Sequence, residues 1–358
     1  MRFDYDTSYA DAQRLLRHWP GRIAYAALAA LLLAGPLVLP KFFIGEAAAT
    51  FIACIMALGL MVLTGFTGQV SLGHAAFVAI GAYAEIGLLD AGLPFPLALP
   101  VAGAIAGLAG LLIGLPAIRV SGLYLAMVTL AFALVVEQAV GRWKSVTGGY
   151  DGAQVPDARL FGANIGGLVP FYYVCLAVLV LALLALINLT RGYVGRAFVG
   201  IRDSEAAAHA LGIWVSGYKV LAFGISAAIT GLGGALLAHQ VQYVTPDVFS
   251  LNLSMQLVLM VVVGGLGSLR GAVLGAVLIG LLPTAISRLK ALLPAVAAAQ
   301  FGLETFIFGL VLAGFVLFEP SGLNGRWIKL RSFFEAFPLY RRRTFVRGKA
   351  YASSERHR

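Results

Sequence analysis

The stretch "GFTGQVSLGHAAFVAIGAYA", Gly65 to Ala84, sets Thr67, Gln69, Ser71 and His74 among Gly65, Gly68 and Gly73, between two apolar runs. Hydroxyl, amide and imidazole groups at this spacing supply hydrogen bonds rather than a nucleophile with its base. Neighbouring glycines let other groups approach the backbone closely. At membrane depth an irregular polar stretch is tolerated only where it is buried in protein or lines a wet cavity. In transporters such breaks present backbone groups to a substrate. A turn capping two helices has the same composition, so both readings stand. Thr67, Gly68, Gln69, Ser71, Gly73 and His74 are candidates for a pathway or gate. "GGLGSLRG" (Gly264–Gly271) divides a second apolar run and adds Gly264, Gly265, Gly267 and Ser268, and Thr129 joins them from "LAMVTLAF".

A second polar segment is of another kind. "GRAFVGIRDSEAAAHALGIWVSGYK" (Gly195–Lys219) carries Arg196, Arg202, Asp203, Glu205, His209 and Lys219, too many charges for a bilayer crossing. Glu205–Leu211 is Ala-rich and helix-favouring, and Gly212 can end it in a left-handed cap. Gly195 and Gly200 suit turns. A short helix between spans fits a groove on another protein; the alternative is a solvated connector held by its own caps.

Enzymatic chemistry finds no footing. There is no G-x-x-x-x-G-K-[ST] phosphate loop, no H-E-x-x-H, no G-x-S-x-G and no C-x-x-C. His18, His74, His209, His239 and His357 are scattered, and Cys54 and Cys175 sit in apolar runs, so no metal site is expected. Energy for any work must enter through a partner, and no cofactor is expected in this chain.

The elements that position these segments are membrane spans. Of 358 residues 60% are hydrophobic and 12% charged, with mean hydropathy +0.90, against about 25% charged in soluble domains. A transmembrane helix needs about 20 apolar residues. Ten candidate spans result, 23–39, 45–64, 70–89, 97–118, 122–141, 168–189, 220–240, 253–266, 272–286 and 303–318, an all-α polytopic fold. The eighth and ninth, split by Gly264–Gly271, form either a hairpin with a short loop or a broken, re-entrant pair.

Lys and Arg set the orientation. With the N-terminus cytoplasmic, only Lys41, Arg142, Lys144, Arg159, Arg288 and Lys290 fall on the outer side. Residues 1–22 are then a cytoplasmic segment, 23–320 the membrane domain, 142–167 a periplasmic loop, 190–219 a cytoplasmic loop and 321–358 a basic cytoplasmic tail. The tail reads as a cationic end near anionic lipid headgroups, not a nucleic-acid arm.

Among the 43 glycines, Gly103/Gly107, Gly110/Gly114 and Gly271/Gly275 recur at four-residue spacing, which lets helix backbones approach in lipid. Glu85, Glu137 and Glu304, with Glu46 at a boundary, lie toward outer helix ends, and none has a cationic partner in its own span. A proton- or sodium-coupled transporter would place a carboxylate nearer the midplane.

"GRAFVGIRDSEAAAHALGI" followed by "YKVLAFGISAAITGLGGALLA" resembles the cytoplasmic coupling segment and next helix of bacterial ATP-binding-cassette importer permeases. "LTGFTGQVSLGHAAFVAIGAYA", "SGLYLAMVTLAFALVVEQ", "TGGYDG" and "VTPDVFSLNLSMQLVLMVVVGGLGSLRGAVLGA" agree in order, so residues 45–320 resemble the branched-chain amino acid permease family. The loop pattern at Gly148, Gly149, Asp151 and Gly152 resembles its LivM-like branch. The resemblance implies a multi-pass inner-membrane permease working by alternating access. It implies a second related permease subunit, two cytosolic ATP-binding subunits that hold ATP and magnesium, and a periplasmic substrate-binding protein. Arg202, Glu205, Ala207 and Gly212 match the coupling pattern, preceded by Gly195 and Arg196. Four residues separate Ala207 from Gly212, as in this family, where the broader importer motif has three. Substrates of the family type include branched-chain amino acids, urea and short amides. The competing class is an ion-coupled transporter acting without ATPases.

Overall fold

The computed structural model describes residues 19–160, 163–291, 309–310, 313–314, 317 and 322–336. Residues 1–18, Glu304, most of the expected span 303–318 and the tail beyond 336 lie outside the described residues. Helices dominate because long apolar runs in lipid must satisfy their backbone internally. They are α1 (Trp19–Val38), α2 (Lys41–Leu60, continued by a π turn at Met61–Phe66), α3 (His74–Asp90), α4 (Phe95–Ala117), α5 (Leu123–Arg142) and the single turn α6 (Lys144–Thr147). After the loop come α7 (Leu168–Arg191), α8 (Tyr193–Asp203), α9 (Glu205–Ala210), α10 (Val215–Val241), α11 (Leu251–Gly264), α12 (Leu269–Ala291) and α13 (Gly322–Ala336).

Among the described residues, seven helices are long and apolar enough to cross a membrane: α2 with its π turn, α4, α5, α7, α10, α11 with the 3-10 turn before it, and α12. Two other expected spans are shorter. The apolar part of α1 is Ile23–Val38, and α3 has 17 residues because its helix starts at His74. Beyond the helices, β1 (Ala153–Gln154) pairs antiparallel with β4 (Tyr243–Val244), and β2 (Arg159–Leu160) with β3 (Ala163–Asn164).

The centre of the bundle is α2 and α10, whose most apolar windows are 83% and 67% buried against 28% for α5. α10 packs on α2, α3 and α4, and small residues make this possible. A Cβ at Gly107 would lie 3.0 Å from the Ala228 methyl, and one at Gly114 3.0 Å from Val220 Cα. Gly110 faces Ala227 and Gly103 faces Leu232, so both expected glycine pairs form one seam against α10. Gly271 and Gly275 do the same between α11 and α12, which pack side by side with Gly275 against the Met260 carbonyl. The Gly264–Gly271 divider is therefore a short turn in a helical hairpin.

α1 is held from outside by α7. Pro36 has no N–H to return to Leu32, and that freed carbonyl accepts the Tyr172 hydroxyl at 2.8 Å, while Tyr173 donates to Leu33 at 2.9 Å.

Candidate functional site

The π turn that ends α2 delivers the chain to the first break. Thr67 Oγ1 donates to the Leu63 carbonyl at 2.6 Å and accepts from Gln69 Nε2 at 3.0 Å. Gly68 takes φ +72°, which a side chain would disfavour. His74, the first residue of α3, is 0% exposed. Its tautomer follows from its neighbours. Ser226 Oγ donates to the Gly59 carbonyl at 2.7 Å, so it accepts from His74 Nε2 at 2.8 Å. Nδ1 then accepts from the Ser71 hydroxyl at 2.9 Å, and Ser71 Oγ accepts from the Gly73 N–H at 3.3 Å. The result is a neutral imidazole in a chain with no open bond.

Two N–H groups at and just before the start of α3 are capped by other helices. Leu72 N–H donates to Thr129 Oγ1 of α5 at 3.0 Å, and Ala75 N–H to Ser254 Oγ of α11 at 3.0 Å. Ser71, Thr129, Ser226 and Ser254 are at most 1% exposed. Of the expected pathway set, Ser71, Gly73, His74 and Thr129 thus meet in one packed knot that reaches no solvent in the single chain. Gln69 Oε1 is buried without a partner.

The second break lies against the first. Gly265 has φ +110° and Gly267 φ +82°, and a Cβ at Gly65 would lie 3.0 Å from Gly267 N. Ser268 Oγ accepts from the Gly271 N–H at 2.9 Å, capping α12.

At this same end stands the charged segment, as two helices at a corner. Gly195 and Gly200 are not turn residues: both lie inside α8, and Gly195 is small because it packs onto the Thr190 backbone. The corner is Ser204, extended at φ −164°, whose Oγ accepts from the Ala207 N–H at 3.2 Å. Gly212 at φ +81° closes α9 as expected, with Ile213 N–H to Ala208 O and Gly212 N–H to His209 O, both 3.0 Å.

The charges of the corner are paired at the surface: the Arg202, Asp203 and Glu205 side chains stay 35%, 66% and 52% exposed. Glu205 pairs with Lys219 at 2.7 Å, and Lys219 is only 4% exposed. Arg202 donates from Nη1 to the Gly65 carbonyl at 3.1 Å and pairs with Asp203. Beside them Ala206, Ala207, His209 and Ala210 are exposed, Leu211 is 82% exposed, and Ala208 is the residue of α9 that is buried. Beside α9 opens a groove of about 750 Å³, lined among others by Tyr193, Arg196, Gly212, Trp214 and Leu221. Arg196 and Gly212 share this groove, while Arg202 and Glu205 reach from the surface to Gly65 and Lys219.

The opposite end of α10, 27 residues and roughly 40 Å away, holds the loop. Gly148, Gly149 and Gly152 have φ of +73°, +68° and +80°, which accounts for the glycines of "TGGYDG". The Asp151 carbonyl accepts the Tyr243 hydroxyl, and β1–β4 pairing ties the loop to the α10–α11 connection. Glu85 does have a partner, on another helix: His239 Nε2 lies 3.4 Å from its Oε1.

Ser226, Ser254 and His239 carry no pairing signal in sequence, since their partners are 152, 179 and 154 positions away. The usable hint was only that single polar residues stood in apolar runs. Among the described residues no three His, Cys, Asp or Glu side chains gather as a metal site.

A family model described as the permease component of branched-chain amino acid transport systems matches residues 43–317. The chain is 36% identical over 284 residues to the high-affinity branched-chain amino acid permease LivM of Escherichia coli K12, covering 72% of this chain and 67% of that protein. LivM of Salmonella typhimurium is 36% identical over 279 residues, covering 71% and 65%. An autoinducer 2 import permease, LsrC of Enterobacter sp. 638, is 33% identical over 150 residues, 40% of this chain and 41% of that one. The chain spans about two thirds of the length of the two LivM proteins. No solved structure matches it.

Proposed function

We propose that this chain, which belongs to the family of branched-chain amino acid transport permeases, is a membrane subunit of an ATP-driven importer of branched-chain amino acids. It lies in the bacterial inner membrane with both termini cytoplasmic, which puts α8–α9 inside and the Gly148–Gly152 loop outside. A second related permease completes the translocation pathway, and a periplasmic binding protein delivers substrate to the loop side. Two cytosolic subunits hold ATP and magnesium, and this chain contributes no catalytic group.

The observation that carries the reading is α9. It offers Ala206, Ala207, Ala210 and Leu211 to the outside, beside a half-exposed Glu205 that is paired with Lys219. A solvated connector would present mainly charge; around the paired Glu205 and His209, α9 presents three alanines and a leucine. Small residues let a partner's surface seat closely, and Leu211 supplies an apolar anchor. The Glu205–Lys219 pair makes α9 move as one with α10, the central helix. Closure of the ATP-binding subunits would then rock α10 against α2 and α4, and the two breaks at this end act as the gate.

The test is reconstitution in proteoliposomes with both permeases, the ATP-binding subunits and the binding protein. Leucine uptake should require ATP, and Leu211→Asp should abolish co-purification of the ATP-binding subunits. Uptake by this chain under an ion gradient without them would overturn the proposal. Urea or acetamide outcompeting leucine would keep the importer and change its substrate.

A further inference from the structure

We infer that Arg202 is not a contact for the ATP-binding subunit but a positioning residue that ties the docking corner to both breaks at once. This rests on the importer reading above and assigns the route by which motion of α9 reaches the gate.

Arg202 is in the last turn of α8, two residues before the extended Ser204 that turns the chain into α9. Its side chain leaves the corner on the bundle side. The stem passes Gly68, where a Cβ would lie 3.1 Å from Arg202 Cγ. The guanidinium ends at Gly267, where a Cβ would lie 2.6 Å from Nη1. Between them Nη1 donates to the Gly65 carbonyl at 3.1 Å. That carbonyl belongs to the last turn of the π segment, where helix ends leave acceptors without a following turn. Nε and Nη2 both donate to Asp203 Oδ1, at 3.2 and 3.1 Å, which fixes the plane of the fork.

One side chain thus occupies a slot whose walls come from two separate helix interruptions, and each wall is a glycine in the left-handed region. Those two glycines leave room for Arg202 as well as making turns. A lysine would keep the charge but lacks the planar fork that serves Asp203 and Gly65 together. The two tethers of the corner then divide their work. Glu205–Lys219 joins it to α10, which is packed on three sides, and Arg202 joins it to the two segments free of regular helix.

The experiment uses the full reconstituted importer and measures leucine imported per ATP hydrolysed. Arg202→Lys and Arg202→Ala should retain the co-purifying subunits and lower that ratio about tenfold or more, the scale of a lost charge-assisted hydrogen bond. Gly267→Ala, whose methyl would displace the Arg202 guanidinium without changing the sequence of α8 or α9, should lower it similarly. Combined with Arg202→Ala it should add less than it costs alone, because the clash with the guanidinium is gone and only the backbone strain at φ +82° remains. A wild-type ratio in the arginine variants overturns the inference, as does loss of co-purification, which would make Arg202 a docking contact. Additive losses in the double variant also overturn it, and they remain readable if the arginine variants express poorly. If the wild-type assembly imports nothing with ATP, the importer reading fails and takes this inference with it.

Discussion

The two breaks interrupt apolar runs at the same end of the bundle and touch at Gly65 and Gly267, yet they are made of opposite materials. The first is a knot of side chains: His74 joins Ser71 to Ser226, while Thr129 and Ser254 cap α3 from α5 and α11. The second is built from missing side chains: Gly264 and Gly265 lie against Gly271 and Gly275, and Gly267 lies against Arg202 and Gly65. One conformation is held by bonds that must be made, the other by atoms that must be absent. The contrast suits a gate in which the first break is the fixed edge and the second the yielding one.

Four substitutions sharpen or break that contrast, and thermal unfolding of the purified protein in detergent reads all of them. His74→Ala should act most strongly, by roughly 3 kcal/mol, because it leaves buried Ser71 and Ser226 each short of a partner. His74→Gln should recover part of that loss through one retained bond. Gly275→Ala comes next at about 2 kcal/mol, since its methyl meets the Met260 carbonyl and forces α11 from α12. Ser268→Ala should be mildest, about 1 kcal/mol, the scale of a lost helix cap. If Ser268→Ala proved as damaging as His74→Ala, the second break would depend on side-chain bonds too, and the distinction would fall.

Legibility in sequence followed the range of the interaction. The α9 helix was readable because its signals are local: alanines and a glycine after the last turn. Glycine pairs announced close packing, and the structure identifies the helices, α4 against α10 and α11 against α12. Gly195 and Gly200 misled because glycine also serves where two backbones nearly touch, as Gly195 does at Thr190. The direction of a charge could not be read at all. Arg202 and Glu205 look like docking groups in a polar loop, and each proves to be turned toward a partner fixed by other helices.

By itself the sequence determined that this chain is a helical membrane protein, where its main apolar runs lie, and which family it resembles. Those properties are set by composition, run length and local pattern, which lipid and backbone hydrogen bonding read directly. Only the tertiary structure decided that His74 meets Ser226, that Glu85 meets His239, and that Arg202 sits in a slot between two turns. Such pairs depend on which helices lie side by side and in what register. In lipid that choice falls to the packing of small residues along helix faces, which no single stretch of sequence specifies.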